Sequence, residues 1–287
     1  MPTDATAVVD GRFEIGEGPL WHVADERLYW TDIPAGHLHR YDPETGDVER
    51  FYEGESVGGF TIQSDGSLAL FLTEGHVAVL RNGDMETVID GIAGEEGMRF
   101  NDVIADPQGR VFAGTMDMDD FSVGRLYRID PDGTITEVVE SLELPNGMGF
   151  TPDRSGLYLT ESNANVIHRY DYDEETGEIS DPETFAELPD GEGMYDGLTV
   201  DSEGRVWSAL WEGNAVVRHD EDGGIAERFE IPAEFVTAPT FGGESLADMY
   251  VTSAAIDADP EDEHAGALFR LDPGVDGTPE FTSEIEP

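Results

Sequence analysis

Residues 27–33 read "RLYWTDI", a short run rich in aromatic and apolar side chains, closed by a polar pair and an isoleucine. The same seven-residue pattern returns as "SLALFLT" (67–73), "RVFAGTM" (110–116), "GLYLTES" (156–162), "RVWSALW" (205–211) and "DMYVTSA" (248–254). Most copies follow a polar turn such as "ADPQG", "TPDRS" or "VDSEG", and each is followed by a second strand with its own turn, as in "RLYRIDPDGTITEVV". Short alternating runs between Asp-Gly, Pro-Asp and Asn-Gly turns read as strands, and no segment holds a helical period over three turns. Six copies of a small antiparallel sheet, each unable to bury its own faces, predict an all-β chain folded as a single six-bladed β-propeller domain over residues 1–287. A sandwich would not repeat the whole unit. The leading "ATAVVDGRFEI" (5–15) reads as a strand without a unit of its own, placed to complete the last blade and close the ring.

Composition narrows the field. The chain has 287 residues, 38% of them hydrophobic, which is enough for a sizeable core in one domain. Its 64 acidic residues stand against 15 basic ones, a net charge of −49. Every basic residue is Arg, so no Schiff-base lysine exists. The acids are spread along the whole length. Self-repulsion on this scale is relieved by salt, which predicts a haloadapted protein and disfavours nucleic acid or anionic membranes as partners. Cysteine is absent, removing disulfide and thiol chemistry. The start, "MPTDATAVVD", has neither a basic nor an apolar leader segment, so the expected location is cytoplasmic, as a monomer or weak homo-oligomer.

A short segment precedes the turn in each unit. Aligned, these segments begin at Glu17, Gly58, Asn101, Asn146, Asp196 and Thr237. They are predicted to form the innermost strands, with their first residues ringing one mouth of a central channel. Oxygen donors dominate, with no His or Cys, which is the ligand chemistry of a hard divalent cation such as Ca²⁺ or Mg²⁺, or of Mn²⁺. Taken singly, Asn or Asp before Gly is an ordinary turn former. Four oxygen donors at equivalent places on one axis are harder to explain as turns alone.

These segments carry a resemblance. "GEGPLW" (16–21), "MRFNDVIADPQGRVFAGTM" (98–116), "LPNGMGFTPD" (144–153), "YDGLTVDSEGRVWSALW" (195–211) and "FGGESLADMYVTSA" (241–254) are together similar to the gluconolactonase/regucalcin family over nearly the whole chain. The resemblance implies a six-bladed propeller with one divalent metal near the axis, held by Glu17, Asn146 and Asp196. Ca²⁺ is the preferred ion, with Zn²⁺, Mn²⁺, Mg²⁺ or Fe²⁺ as alternatives. It implies substrate contacts from Arg99 and Asn101, and from an acidic residue near Asp119, with Asp117 and Asp120 as alternatives in the run "DMDD". The activity implied is hydrolysis of an aldonolactone (xylono-, arabinono- or gluconolactone) in carbohydrate catabolism, with Asp196 assisting the attacking water as ligand and general base. Another ester, lactone or phosphoester hydrolase on the same scaffold, or a non-catalytic Ca²⁺-binding propeller, are the competing readings.

Other signals are weaker. "GESVG" (54–58) matches G-x-S-x-G, but a strand-like segment follows Ser56 where a serine hydrolase needs a helix. The seven His are scattered without zinc spacing. Trp21 and Trp207 are expected to pack between blades, and Trp211 to sit just past a strand end.

Overall fold

The computed structural model describes residues 5–119 and 121–286. It is all-β and propeller-like. Four separate four-stranded antiparallel sheets form, together with one eight-stranded sheet. Each separate sheet is a meander in sequence order, as in Gly16–His22, Arg27–Asp32, His37–Tyr41 and Val48–Glu53. In the eight-stranded sheet, the strands between Met194 and Glu230 join those between Phe235 and Leu271 through one residue pair, Trp211 with Phe235. The Trp211 and Phe235 rings also meet there, 4.7 Å apart. As expected from the unpartnered N-terminal segment, Thr6–Val9 pairs antiparallel with Leu268–Leu271. Among the described residues no helix is long and apolar enough to cross a membrane.

Six innermost strands surround an axis: Gly16–His22, Gly59–Ile62, Met98–Ala105, Pro145–Phe150, Met194–Val200 and Phe235–Gly242. Each packs on the next, and the last returns to the first. The second strand of each unit is buried on both faces, because neighbouring sheets cover it. Leu68–Phe71 is buried throughout, and so is Val111–Met116. This is why the repeat reads as a nearly continuous apolar run. Apolar clusters therefore lie between adjacent sheets; Phe71 and Val77 of one meet Phe100, Val111 and Ile129 of the next. Trp207, fully buried, packs on Phe229 and Phe241, and Trp21 stacks on Tyr250 at 5.9 Å. Outermost strands such as Asp84–Ile89 and Ile225–Glu230 are mostly exposed, which is where many of the acids sit at low electrostatic cost.

The turn leading into each second strand has a physical reason for its sequence. In "ADPQGR", Asp106 Oδ1 accepts from the backbone N–H of Gln108 and of Arg110, both near 2.9 Å. Asp106 Oδ2 takes the Tyr172 hydroxyl at 2.8 Å and the Arg110 guanidinium at 2.7 Å. In "VDSEGR", Asp201 repeats this with Glu203 N, Arg205 N and the Trp207 indole N–H. A buried carboxylate is tolerated only with such complete pairing.

The unit ending at Gln63 lacks this aspartate, and the C-terminal segment exploits the difference. Gln63 Nε2 donates to Ile285 O at 2.7 Å, and its Oε1 accepts from Ile285 N at 2.8 Å. Residues 276–286 form a strap over this end of the ring. It bonds Ser202 through Asp276 O, lays Phe281 against Phe150 and Arg154, and ties Ser283 to Thr61 and Glu284 N to Gly109 O. The strap lies at the end of the inner strands opposite Glu17, Asn146 and Asp196.

Candidate functional site

The pairing of the inner strands breaks where the site begins. It slips by one residue between Glu17 and Leu20, Phe100 and Val103, Pro145 and Met148, Tyr195 and Leu198, and Val236 and Pro239. Such bulges kink a strand and re-aim its side chains. Asn101, Asn146, Asp196 and Thr237 fall inside these slips, whereas Glu17 stays paired with Thr31 one step before its own. Gly59–Ile62, which follows Gly58, pairs without a break. Glycine recurs here because the inner strands nearly touch. A Cβ on Gly58 would run into Phe100 O, and one on Gly147 into Leu198 N.

Glu17, Arg99, Asn101, Asn146 and Asp196 are brought together at this mouth. Arg99 Nη1 donates to Asn101 Oδ1 at 2.7 Å and to Phe100 O at 2.9 Å. Asn101 Nδ2 donates to Pro145 O at 3.0 Å, so both ends of that amide are held by protein. Asn146, 7% exposed, gives Nδ2 to Ser162 Oγ at 3.2 Å. Glu17 Oε2 accepts from Gly18 N at 2.7 Å. Thr237 does not face the axis as a ligand; its hydroxyl donates to Gly16 O and lies 2.8 Å from the Thr252 hydroxyl. Asp119 lies in an exposed turn, where its N–H caps the Asp117 carboxylate, and it does not join the other residues. Asp117 ends its strand, paired with Met98. Asp120 lies outside the described residues.

The electrostatics of this cluster are unbalanced. Burial, and then the Asp102 charge, push the Glu17 carboxyl well above the carboxylate range, against the pull of Gly18 N–H and Arg99. Asp196 is raised by burial, then by Glu17 and Asp102, while a hydrogen bond from Asn146 works the other way. Burial lowers the Arg99 guanidinium to about 10, opposed by Glu17 and Asp196. Asp102, which the sequence reading passed over, is raised to about 6 by burial. It lines an axial cavity of about 50 Å³ together with Glu280 of the strap, whose carboxyl is raised to about 7 by burial and then by Asp102. Glu17 and Asp196 thus act on one buried guanidinium, while the Asp102 charge raises both of them.

Among the described residues no three His, Cys, Asp or Glu side chains are grouped closely enough to hold a metal by themselves. The donor set fits a hard cation when the amide is counted. Glu17 and Asp196 supply repelling carboxylates, and no donor among the described residues reaches Asn146 Oδ1. Ser56, discounted as a nucleophile, donates to Ile33 O as a structural hydroxyl. The histidines take structural places away from the cluster, such as His22, whose Nδ1 accepts from Asp25 N.

An all-β ring with an acidic mouth on its axis and a buried arginine beside it defines a class of propeller-like proteins with an axial polar site. Within that class, this chain belongs to the SMP-30/gluconolactonase/LRE-like family, whose model matches residues 15–255. It is 50% identical over 291 residues to the pentonolactonase XacC of Haloferax volcanii, covering 98% of each chain. It is 35% identical to a 6-deoxy-6-sulfogluconolactonase of Pseudomonas putida, over 84% of this chain and 83% of that one. The crystal structure of a calcium-binding regucalcin from Agrobacterium tumefaciens superposes with a TM-score of 0.90 at 25% identity, covering 96% of both chains.

Proposed function

We propose that this protein is a sugar lactonase that hydrolyses the ester bond of an aldonolactone to the open aldonic acid, with a pentonolactone as its substrate. The observation carrying this reading is the convergence of Glu17, Asn146, Asp196 and Arg99 at one mouth of a lactonase-family ring. The fold reading goes with it. The eight-stranded sheet is two blades touching through Trp211 and Phe235, so that residues 1–287 make one domain of six blades.

Glu17, Asn146 and Asp196 would hold a divalent cation, Ca²⁺ by preference since every donor is oxygen. Such a cation would polarise the lactone carbonyl and hold the two carboxylates ionised. The chain's own residues do the rest. Arg99 is desolvated, so its hydrogen bonds to the sugar's ring oxygen and hydroxyls are strong. Asn101, locked by Arg99 and Pro145, orients that guanidinium. Asp196, ionised at the mouth, accepts the proton of the attacking water at a carboxylate oxygen. Asp119, from its exposed turn, would reach a distal hydroxyl. The strap closes the opposite end, so lactone and acid share one entrance.

The test is acid release from xylono-, arabinono- and gluconolactone by protein kept in molar KCl, before and after chelation and with Ca²⁺, Mg²⁺, Mn²⁺, Zn²⁺ or Fe²⁺ restored, net of spontaneous opening. Turnover lost on chelation and restored by cation supports the reading and ranks the lactones. Folded protein that turns over none of them under any cation refutes it.

A further inference from the structure

Ser162 is a fully buried hydroxyl at the mouth that the lactonase reading leaves without a role. It is the seventh residue of "GLYLTES". In the units that carry Glu17, Asn101 and Asp196 the same place holds Ile33, Met116 and Trp211, so the hydroxyl accompanies Asn146 alone among these four. Its backbone is fixed on both sides. Ser162 N–H donates to Leu144 O at 3.0 Å, and Ser162 O accepts from Asn165 N–H at 2.9 Å.

From that fixed position Ser162 Oγ accepts from Asn146 Nδ2 at 3.2 Å, while the same nitrogen's hydrogen bond to Asp196 uses its other N–H. An amide whose nitrogen is engaged has its oxygen directed elsewhere, and no donor among the described residues meets Asn146 Oδ1. Asn101 is the contrast. Its Oδ1 already accepts from Arg99 and its Nδ2 donates to Pro145 O, so both ends are engaged by protein. Two asparagines in equivalent places are thus given opposite tasks by their neighbours. We infer that Ser162 is a positioning residue: by holding Nδ2 it presents Asn146 Oδ1 to a divalent cation shared with Glu17 and Asp196. This rests on the reading of Asn146 as a cation ligand. Residues that orient a ligand in this way typically change metal affinity by about 10- to 100-fold when removed.

The experiment is a double-mutant cycle read by calorimetric titration of Ca²⁺ into chelator-treated protein in molar KCl, with cation-free melting temperatures as the folding control. Asn146→Ala is expected to weaken Ca²⁺ binding strongly. Ser162→Ala is expected to raise Kd by about 10-fold or more while the cation-free melt stays close to wild type. On the Asn146→Ala background, Ser162→Ala is expected to change Kd no further. Wild-type affinity in Ser162→Ala, or an equal loss on both backgrounds, overturns the inference while leaving Asn146 as a ligand. Wild-type affinity in Asn146→Ala overturns the ligand reading and the inference together.

Discussion

Replacing Glu17 by Gln should make the cation-free protein more stable. The Glu17 carboxyl is moved from 4.5 to about 8 on folding, chiefly by burial and then by the Asp102 charge. The sign follows from proton binding. Between these values the unfolded chain has released a proton that the folded chain retains, so stability falls as pH rises through the window. At pH 7 the full shift corresponds to about 3 kcal/mol, and allowance for the side chain's partial exposure leaves about 2 kcal/mol. Gln removes that penalty and keeps an oxygen for Gly18 N–H. In a domain of this size the gain is roughly 3 °C in melting temperature. A cation should erase the advantage. At a thousandfold excess over Kd, Ca²⁺ adds about 4 kcal/mol to the wild type. A variant binding about a hundredfold more weakly, through loss of one of two carboxylates, gains only about 1.4 kcal/mol at the same concentration. The assay is calorimetric melting of both proteins in molar KCl at pH 7, with EGTA and then with Ca²⁺. A variant that melts below wild type in EGTA, or a gap that Ca²⁺ leaves unchanged, refutes the reasoning.

Four further outcomes are expected. Asp196→Ala should abolish cation-dependent lactone turnover; undiminished kcat/KM in the purified variant would remove Asp196 from the mechanism. Gln63→Ala strands the backbone N–H and C=O of Ile285 in a buried setting, at about 2–4 kcal/mol, and should free the strap to proteolysis; an unchanged cleavage pattern in the segment after residue 275 would show the strap is held otherwise. Burial lowers the His39 imidazole to about 4. It therefore stays neutral in the fold while the unfolded chain protonates near 6.5, and stability is lost as pH falls from about 6.5 to 4, by at most about 1.4 kcal/mol per unit. His39→Phe should flatten that slope in urea titrations across the range, and parallel slopes would reject the assignment. Finally, the net charge of −49 predicts a melting temperature that climbs steeply with KCl, and a salt-independent melt would count against haloadaptation.

The sequence carries the ring because its physics is local and repeated. Buried second strands need apolar runs on both faces, and turns such as Asp106–Arg110 and Asp201–Arg205 need a carboxylate, a glycine and an arginine at fixed spacing. The mouth was legible for the same reason, since Glu17, Asn101, Asn146 and Asp196 fall at one place in the repeat. The register slips were not legible, because no residue type marks them. Strict strand alternation would turn Asn101 and Asp102 to opposite faces, so Asp102 was passed over; the slip between Phe100 and Val103 instead leaves Asp102 lining the axial cavity. The strap was hidden for another reason. "PGVDGTPEFTSEIEP" has no period to read, and Gln63 recognises its backbone rather than its side chains.

The pairing of Thr6–Val9 with Leu268–Leu271 ties almost the first residues described to almost the last. While the chain is being synthesised, the strand that seals the ring has no partner until some 260 residues later. Units made early can form their sheets, but each exposes an apolar flank until its neighbour arrives, and the first keeps one bare until the strands after Phe235 have emerged from the ribosome. The axial mouth, which draws on residues from Glu17 to Asp196, thus takes its final shape only after Leu268–Leu271 has been made. Closing the ring therefore waits on Leu268–Leu271, with the slow folding that such distant contacts impose.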